Sequence, residues 1–230
     1  DDTQLTLATV RSILKAGTVN GIAIATEFVE LWESGDIIGS GPVANHAVDR
    51  LIQGLPWDEA ALADDPPLNG AAMRIAPIGL WDHDRPEQLS NNVFAASITT
   101  HRHPQAVSGA LAIASAVAYV ITHKNLSTQK FLESVTSTVG PQDPDLAAHI
   151  ALVGRWDELS EMEALETLDE ITGHQSYGRS EGFGISVMVE PTVLMALYAF
   201  IKSPTDYLTT VERAIRAGGD VDTTAAIAGA

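Results

Sequence analysis

Apolar residues recur three and four positions apart along most of this chain, and no stretch sustains the strict alternation of a half-buried strand. Ile22, Ala25, Val29 and Trp32 share one face of a 3.6-residue period and predict a helix over Ile22–Trp32. Ahead of it, Asp1–Ala16 reads as a helix with carboxylates in its first turn, where the helix dipole favours them, and Gly17 ends it. Further helices are predicted over Val43–Gln53, Asn69–Leu80, Pro86–Thr99, Ser127–Ser137, Asp145–Val153, Glu158–Ile171 and Pro191–Ile201. The uncharged run Pro104–His123, rich in Ala and Ser, predicts a buried helix, since its apolar middle falls short of the ~20 residues a membrane span needs. Ser203 as N-cap with Pro204 at the first helical position predicts a helix running to Ala217. Residues 54–68 and 173–190, broken by prolines and glycines, read as loops. The expected architecture is all-α: about ten to twelve helices in a single orthogonal multi-helix domain spanning 1–230, without heptads or repeats.

Composition narrows the function. The formal net charge of −17 argues against nucleic acid and anionic membrane as partners, yet it leaves room for a phosphate ligand held by cations and helix N-termini. The absence of cysteine excludes disulfides and thiolate metal sites and fits a cytoplasmic protein. The acidic outer face of Glu158–Ile171 reads as solvated surface.

The chemistry concentrates at the two ends. In AGGDVDTTAAIAGA, Gly218 and Gly219 allow a tight backbone approach, and Asp220 and Asp222 follow with the hydroxyls of Thr223 and Thr224. Carboxylates with a hydroxyl form an all-oxygen donor set suited to Mg²⁺ or Mn²⁺; a glycine C-cap followed by an Asp or Thr N-cap would give the same pattern with no metal. Asp1-Asp2-Thr3 supplies a second acidic start. Asn69-Gly70 can offer bare amides to an anion. His101-x-His103-Pro104 reads as a helix-entry turn rather than a zinc pair, and Arg74 as paired with one of the chain's acids rather than clamping a phosphate. Tyr177 and Phe183 are candidates for stacking on a base or for ordinary packing.

Taken together and in order, DDTQLTLA (1–8), NGAAMRIAPIGL (69–80), THRHPQAVSGALAIA (100–114) and GGDVDTTAAIAGA (218–230) resemble the ADP-ribosylglycohydrolase family. The resemblance implies an orthogonal helical domain with two Mg²⁺, or Mn²⁺, in a central cleft. It implies Asp1, Asp2, Asp220, Asp222 and Thr223 as metal ligands, with Asp2 and Asp222 the candidates for catalysis. Asn69, Gly70, Ala71 and Met73, with the loop Gly39 to Gly41, would lie along the pyrophosphate and ribose, and His101 beside the phosphates. The implied reaction is hydrolysis of the bond joining ADP-ribose to a protein side chain, arginine first, or to a small conjugate. The competing readings are a non-catalytic ADP-ribose or nucleotide binder and a crystallin-like structural relative.

Three departures stand out. Val221 replaces the family's usual threonine, and Leu68 stands where a glycine usually precedes Asn-Gly. The chain also begins inside the first motif and stops at Ala230, so the family's GDxxG stretch, a catalytic glutamate and one threonine ligand fall outside it. The expectation is that this stretch alone is incomplete at both ends and not a competent hydrolase.

Overall fold

Each predicted apolar stripe forms a helix in the computed structural model, which describes residues 1–173 and 184–230. In chain order these are α1 (Asp2–Ala16), α2 (Gly21–Glu33), α3 (Pro42–Ile52), α4 (Ala76–Trp81), α5 (Pro86–Ser97), α6 (Pro104–Thr122), α7 (Thr128–Val139), α8 (Pro144–Val153), α9 (Glu161–Ile171), α10 (Val189–Lys202), α11 (Tyr207–Arg216) and α12 (Val221–Ala228). Short 3-10 turns precede α4 (Ala72–Arg74) and α9 (Trp156–Glu158). Among the described residues there is no sheet, only two isolated bridges, Leu68 with Met188 and Ile185 with Gly219. The all-α expectation holds.

The starts follow local chemistry. Asn20 Oδ1 accepts from the backbone N–H groups of Ile22 and Ala23, satisfying two donors that α2 cannot satisfy itself. Ser160 and Glu163 form a reciprocal capping box, so α9 begins at Glu161 and not at Glu158. A similar correction applies to α11. Ser203–Asp206 forms a turn, and Asp206, whose side chain accepts from the Thr209 N–H, is the true N-cap. The predicted helix Asn69–Leu80 is interrupted: the chain makes a 3-10 turn, and α4 starts afresh with Pro77 in its first turn, where the missing N–H costs nothing. At the other extreme, α10 begins two residues before Pro191, again because proline is tolerated in a first turn.

Two helices form the centre. α6 packs on α4, α5, α7 and α10, and α10 packs in turn on α8, α9, α11 and α12. Ala106, Ala110, Ala112 and Ala114 are all fully buried, and these small side chains let the neighbours approach α6 closely. Over 19 residues with a mean hydropathy of 1.6, α6 is apolar enough to cross a membrane, but 67% of that stretch is buried inside the domain. It is a core helix. Phe131 of α7, fully buried between Tyr119 of α6 and Phe200 of α10, ties three helices at ring separations of 5.7 and 5.4 Å. Burying such a side chain contributes about 1.5–3 kcal/mol. On the other side, α1 packs on α2, on the Ala72–Arg74 turn and on α12, so the first and last helices of the chain meet.

Candidate active site

The acidic turn before α12 is built by two consecutive left-handed glycines, Gly218 (φ 74°) and Gly219 (φ 75°). They fold the backbone against Ile185, whose N–H donates to the Gly218 carbonyl (3.0 Å) and whose carbonyl accepts from the Asp220 N–H (2.8 Å). The same strap reaches the other loop: the Asn69 N–H donates to the Val187 carbonyl (3.0 Å), and the Val189 N–H donates to the Pro67 carbonyl (2.9 Å). Residues 185–189 thus clip the Asn69 loop to the Asp220 turn.

Side chains complete the join. The Asn69 amide donates to Asp220 Oδ2 (2.6 Å) and to Thr192 Oγ1 (3.0 Å). Burial pushes the Asp220 carboxyl up; the Asn69 hydrogen bond opposes this, the Asp222 charge adds to it, and Thr223 again pulls down. Asp220, Asp222 and Thr223 therefore act as one acidic unit at the start of α12. The two like charges would be relieved by a cation.

At the other acidic start, Asp2 is buried and its Oδ1 has no hydrogen-bond partner. A buried, unsatisfied carboxylate oxygen is costly, and a hard cation would satisfy it. Asp1 is seated against the glycine loop: its amino group donates to the Ile38 carbonyl (2.8 Å), and a Cβ on Gly39 would lie 4.0 Å from Asp1 Oδ1. Asn45 holds that loop by accepting from Ser40 Oγ and donating to the Ser40 carbonyl, with Trp32 Nε1 also donating to its Oδ1. Gly41 precedes α3 as its N-cap. The donor types fit Mg²⁺ or Mn²⁺. Among the described residues, however, no three carboxylate or imidazole groups are gathered tightly enough to hold an ion as they stand. The structure packs α1 on α12 but does not show the four carboxylates as a closed cluster.

Behind Asn69, the Gly70 backbone lies directly on the His101 ring: a Cβ there would sit 2.5 Å from His101 Cε1 and 2.6 Å from Nε2. Glycine is required for that contact. Ala71 and Met73 are buried in the apolar core. Arg74 is fully buried, and the expected pairing with an acid is not what the structure shows. It donates instead to the Ala96 carbonyl (3.0 Å) and to Thr100 Oγ1 (2.6 Å), and its guanidinium lies 4.7 Å from the centre of the Phe28 ring. Burial lowers its pKa to about 9, which still leaves it cationic at neutral pH. Among the described residues, a positive charge without a carboxylate partner thus stands behind the Asn69-Gly70 loop. His103 is an N-cap for α6, accepting from the Gln105 N–H, as the helix-entry reading expects. Tyr177 and Phe183 lie outside the described residues.

Sequence reasoning missed Thr192 and Thr100. A lone threonine within the apolar run PTVLMALYAF was the available signal for Thr192, since a buried hydroxyl needs partners. No comparable signal marked Thr100. A cavity of about 310 Å³ lies among α6, α10, α11 and the end of α12, walled by Ile113, Val117, Leu197, Phe200 and Ile227. None of the predicted site residues lines it.

His101 makes the site acid-sensitive. Burial, with a smaller contribution from the Arg74 charge, lowers its pKa to about 3. The unfolded chain takes up this proton near pH ~6.5 and the folded chain only near 3, so stability is full above ~6.5 and falls as pH drops through that window. The expected loss from this group at pH 5, relative to pH 8, is about 2 kcal/mol. Urea unfolding at both pH values should show that His101→Gln removes this increment, and an identical pH dependence in the variant would contradict the assignment.

Comparison with known proteins gives the family. The ADP-ribosylglycohydrolase family profile matches residues 1–230, and the chain belongs to that family of hydrolases. It is 28% identical over 230 residues to an uncharacterized protein of Archaeoglobus fulgidus, covering 100% of this chain and 69% of the relative. It is 30% identical over 125 residues to the ADP-ribosyl-[dinitrogen reductase] glycohydrolase of Rhodospirillum rubrum, covering 53% of this chain and 40% of that protein. A chain from a solved ADP-ribosylglycohydrolase-related protein complex superposes with a TM-score of 0.71 at 20% identity, covering 100% of this chain and 68% of that one, which supports the fold.

Proposed function

We propose that this chain carries the metal-binding and nucleotide-binding parts of a hydrolase that releases ADP-ribose from a conjugate, with arginine-linked ADP-ribose the favoured substrate. The observation that carries this reading is the Asn69–Asp220 hydrogen bond, which joins an anion-accepting loop to an acidic turn. Family membership supplies the hydrolase class, and the likeness to the Rhodospirillum rubrum enzyme supports the choice of an ADP-ribosylated protein as substrate.

In this reading Asp1, Asp2, Asp220, Asp222 and Thr223 would hold two Mg²⁺, or Mn²⁺. Metal ions of this kind lower the pKa of a bound water and offset charge at the reacting sugar. The chain's own residues do the rest. Asn69 holds Asp220 in one orientation through Oδ2. Gly70 lets the backbone pack against His101, and the Arg74 charge would make that corner favourable for phosphate despite the acidic surroundings. The glycine loop Gly39–Gly41 closes the side next to Asp1. Asp2 and Asp222, one from each acidic start, are the groups we assign nearest the reaction.

The test is direct. Incubating the full-length protein that contains this chain with an ADP-ribosyl-arginine substrate and Mg²⁺ should release free ADP-ribose, and chelation should stop it. Binding without release would instead favour a non-catalytic ADP-ribose binder.

A further inference from the structure

Arg74, Thr100 and His101 form a hydrogen-bonded line that leads from the core to the Asn69-Gly70 loop. Arg74 Nη2 donates to Thr100 Oγ1 at 2.6 Å, and Thr100 Oγ1 lies 2.8 Å from His101 Nδ1. All three side chains are buried, Thr100 at 1% exposure. A guanidinium only donates, so the Thr100 oxygen must accept from it. The hydroxyl has one hydrogen left to place. Among its contacts the only available acceptor is His101 Nδ1. Were Nδ1 protonated instead, both that hydroxyl hydrogen and the Nε2 lone pair would lack a partner among the described residues, whereas the other tautomer leaves a single group, Nε2–H, to be met. Nδ1 is therefore the acceptor, and the ring proton sits on Nε2, at the edge beside Gly70, where the missing Cβ leaves room.

We propose that Arg74 is a positioning residue acting through Thr100: it fixes His101 as the Nε2–H tautomer, so that the ring offers a hydrogen-bond donor to an acceptor oxygen of the ligand beside the Asn69-Gly70 loop. This explains why a fully buried arginine with no acid partner among the described residues stands in an otherwise apolar turn. Lysine could not do the same, because the two donors directed at the Ala96 carbonyl and at Thr100 need a planar fork. The ligand part of the proposal rests on the ADP-ribose reading; the tautomer part does not.

The experiment reads the ring directly. Long-range ¹⁵N–¹H correlation spectra of the ligand-free, ¹⁵N-labelled chain should show His101 Nδ1 in the pyridine-like range and Nε2 in the pyrrole-like range, the His101 signals being identified by their loss in His101→Gln. Thr100→Val, nearly the same volume, should give a mixed tautomer and weaken ADP-ribose binding in Mg²⁺ by about five- to tenfold, the worth of one hydrogen bond. Thr100→Ser keeps the hydroxyl and should keep both the tautomer and the affinity. A wild-type ring protonated on Nδ1, or a tautomer unchanged in Thr100→Val, overturns the proposal. If wild type shows the expected ring but binds no ADP-ribose, the tautomer lock stands, and both the hydrolase reading and the ligand's use of Nε2–H fall.

Discussion

Gly219→Ala should destabilise the protein by about 3–4 kcal/mol and dismantle the acidic turn. Gly219 has φ 75°, where alanine is disfavoured by roughly 1–2 kcal/mol. A Cβ there would also lie 2.1 Å from the Ile185 carbonyl oxygen and 2.5 Å from its nitrogen. Those are backbone atoms, so no side chain can turn aside to make room. The strap must move, and with it go the bonds from Ile185 to Gly218 and from Asp220 to Ile185, worth about 1 kcal/mol each. For a chain of this size the melting temperature should fall by roughly 10 °C. Gly17→Ala provides the control: φ is 67° there, but nothing lies within 4 Å, so only the backbone preference should be lost. Equal effects at the two positions would show that the contact with Ile185 is unimportant.

Asp222→Asn should reduce hydrolysis at limiting Mg²⁺ by at least about a hundredfold, because removing even an outer partner of a metal site costs 10–100-fold. Helix content and the melting temperature without metal should be unchanged or slightly higher. Asp222 is exposed, asparagine has nearly its volume, and removing its charge takes away one of the influences that raise the Asp220 carboxyl. The pairing of lost activity with retained stability separates a ligand from a structural residue. Full activity of the variant at limiting Mg²⁺ would remove Asp222 from the site.

The helices were legible because each buries a stripe that follows a 3.6-residue period, but the face itself was misplaced in α2: Ile24, Ala25 and Phe28 are buried, while Ile22 of the predicted stripe is 63% exposed. What periodicity could not place were the starts at prolines. Pro77, Pro191 and Pro204 all allow a helix to begin, yet only the first two lie within a first turn, and at the third the Asp206 cap prevailed. For the site, Asp220, Asp222 and Thr223 were readable together because they share one turn. Asn69, Gly70 and His101 were readable as patterns that the family resemblance joined. The strap at 185–189, the Thr192 bond and the line from Arg74 to His101 were not readable. Each depends on where distant backbone arrives, and nothing local in an apolar stretch such as AAMRIAPIGL distinguishes a buried arginine from a surface one.

The clip between Asn69 and Asp220 bridges 151 residues, and the strap that seats it comes from a third place in the chain. Closing so long a loop earns nothing until helices from both halves have docked, so this join belongs among the last events of folding. A nascent or half-folded polypeptide therefore carries its acidic turn and its anion-accepting loop apart, and neither alone is a competent trap for cation or nucleotide. On the proposed function, ligand capture would be confined to molecules whose folding is complete, and occupancy, once gained, would stabilise the whole domain rather than one corner of it.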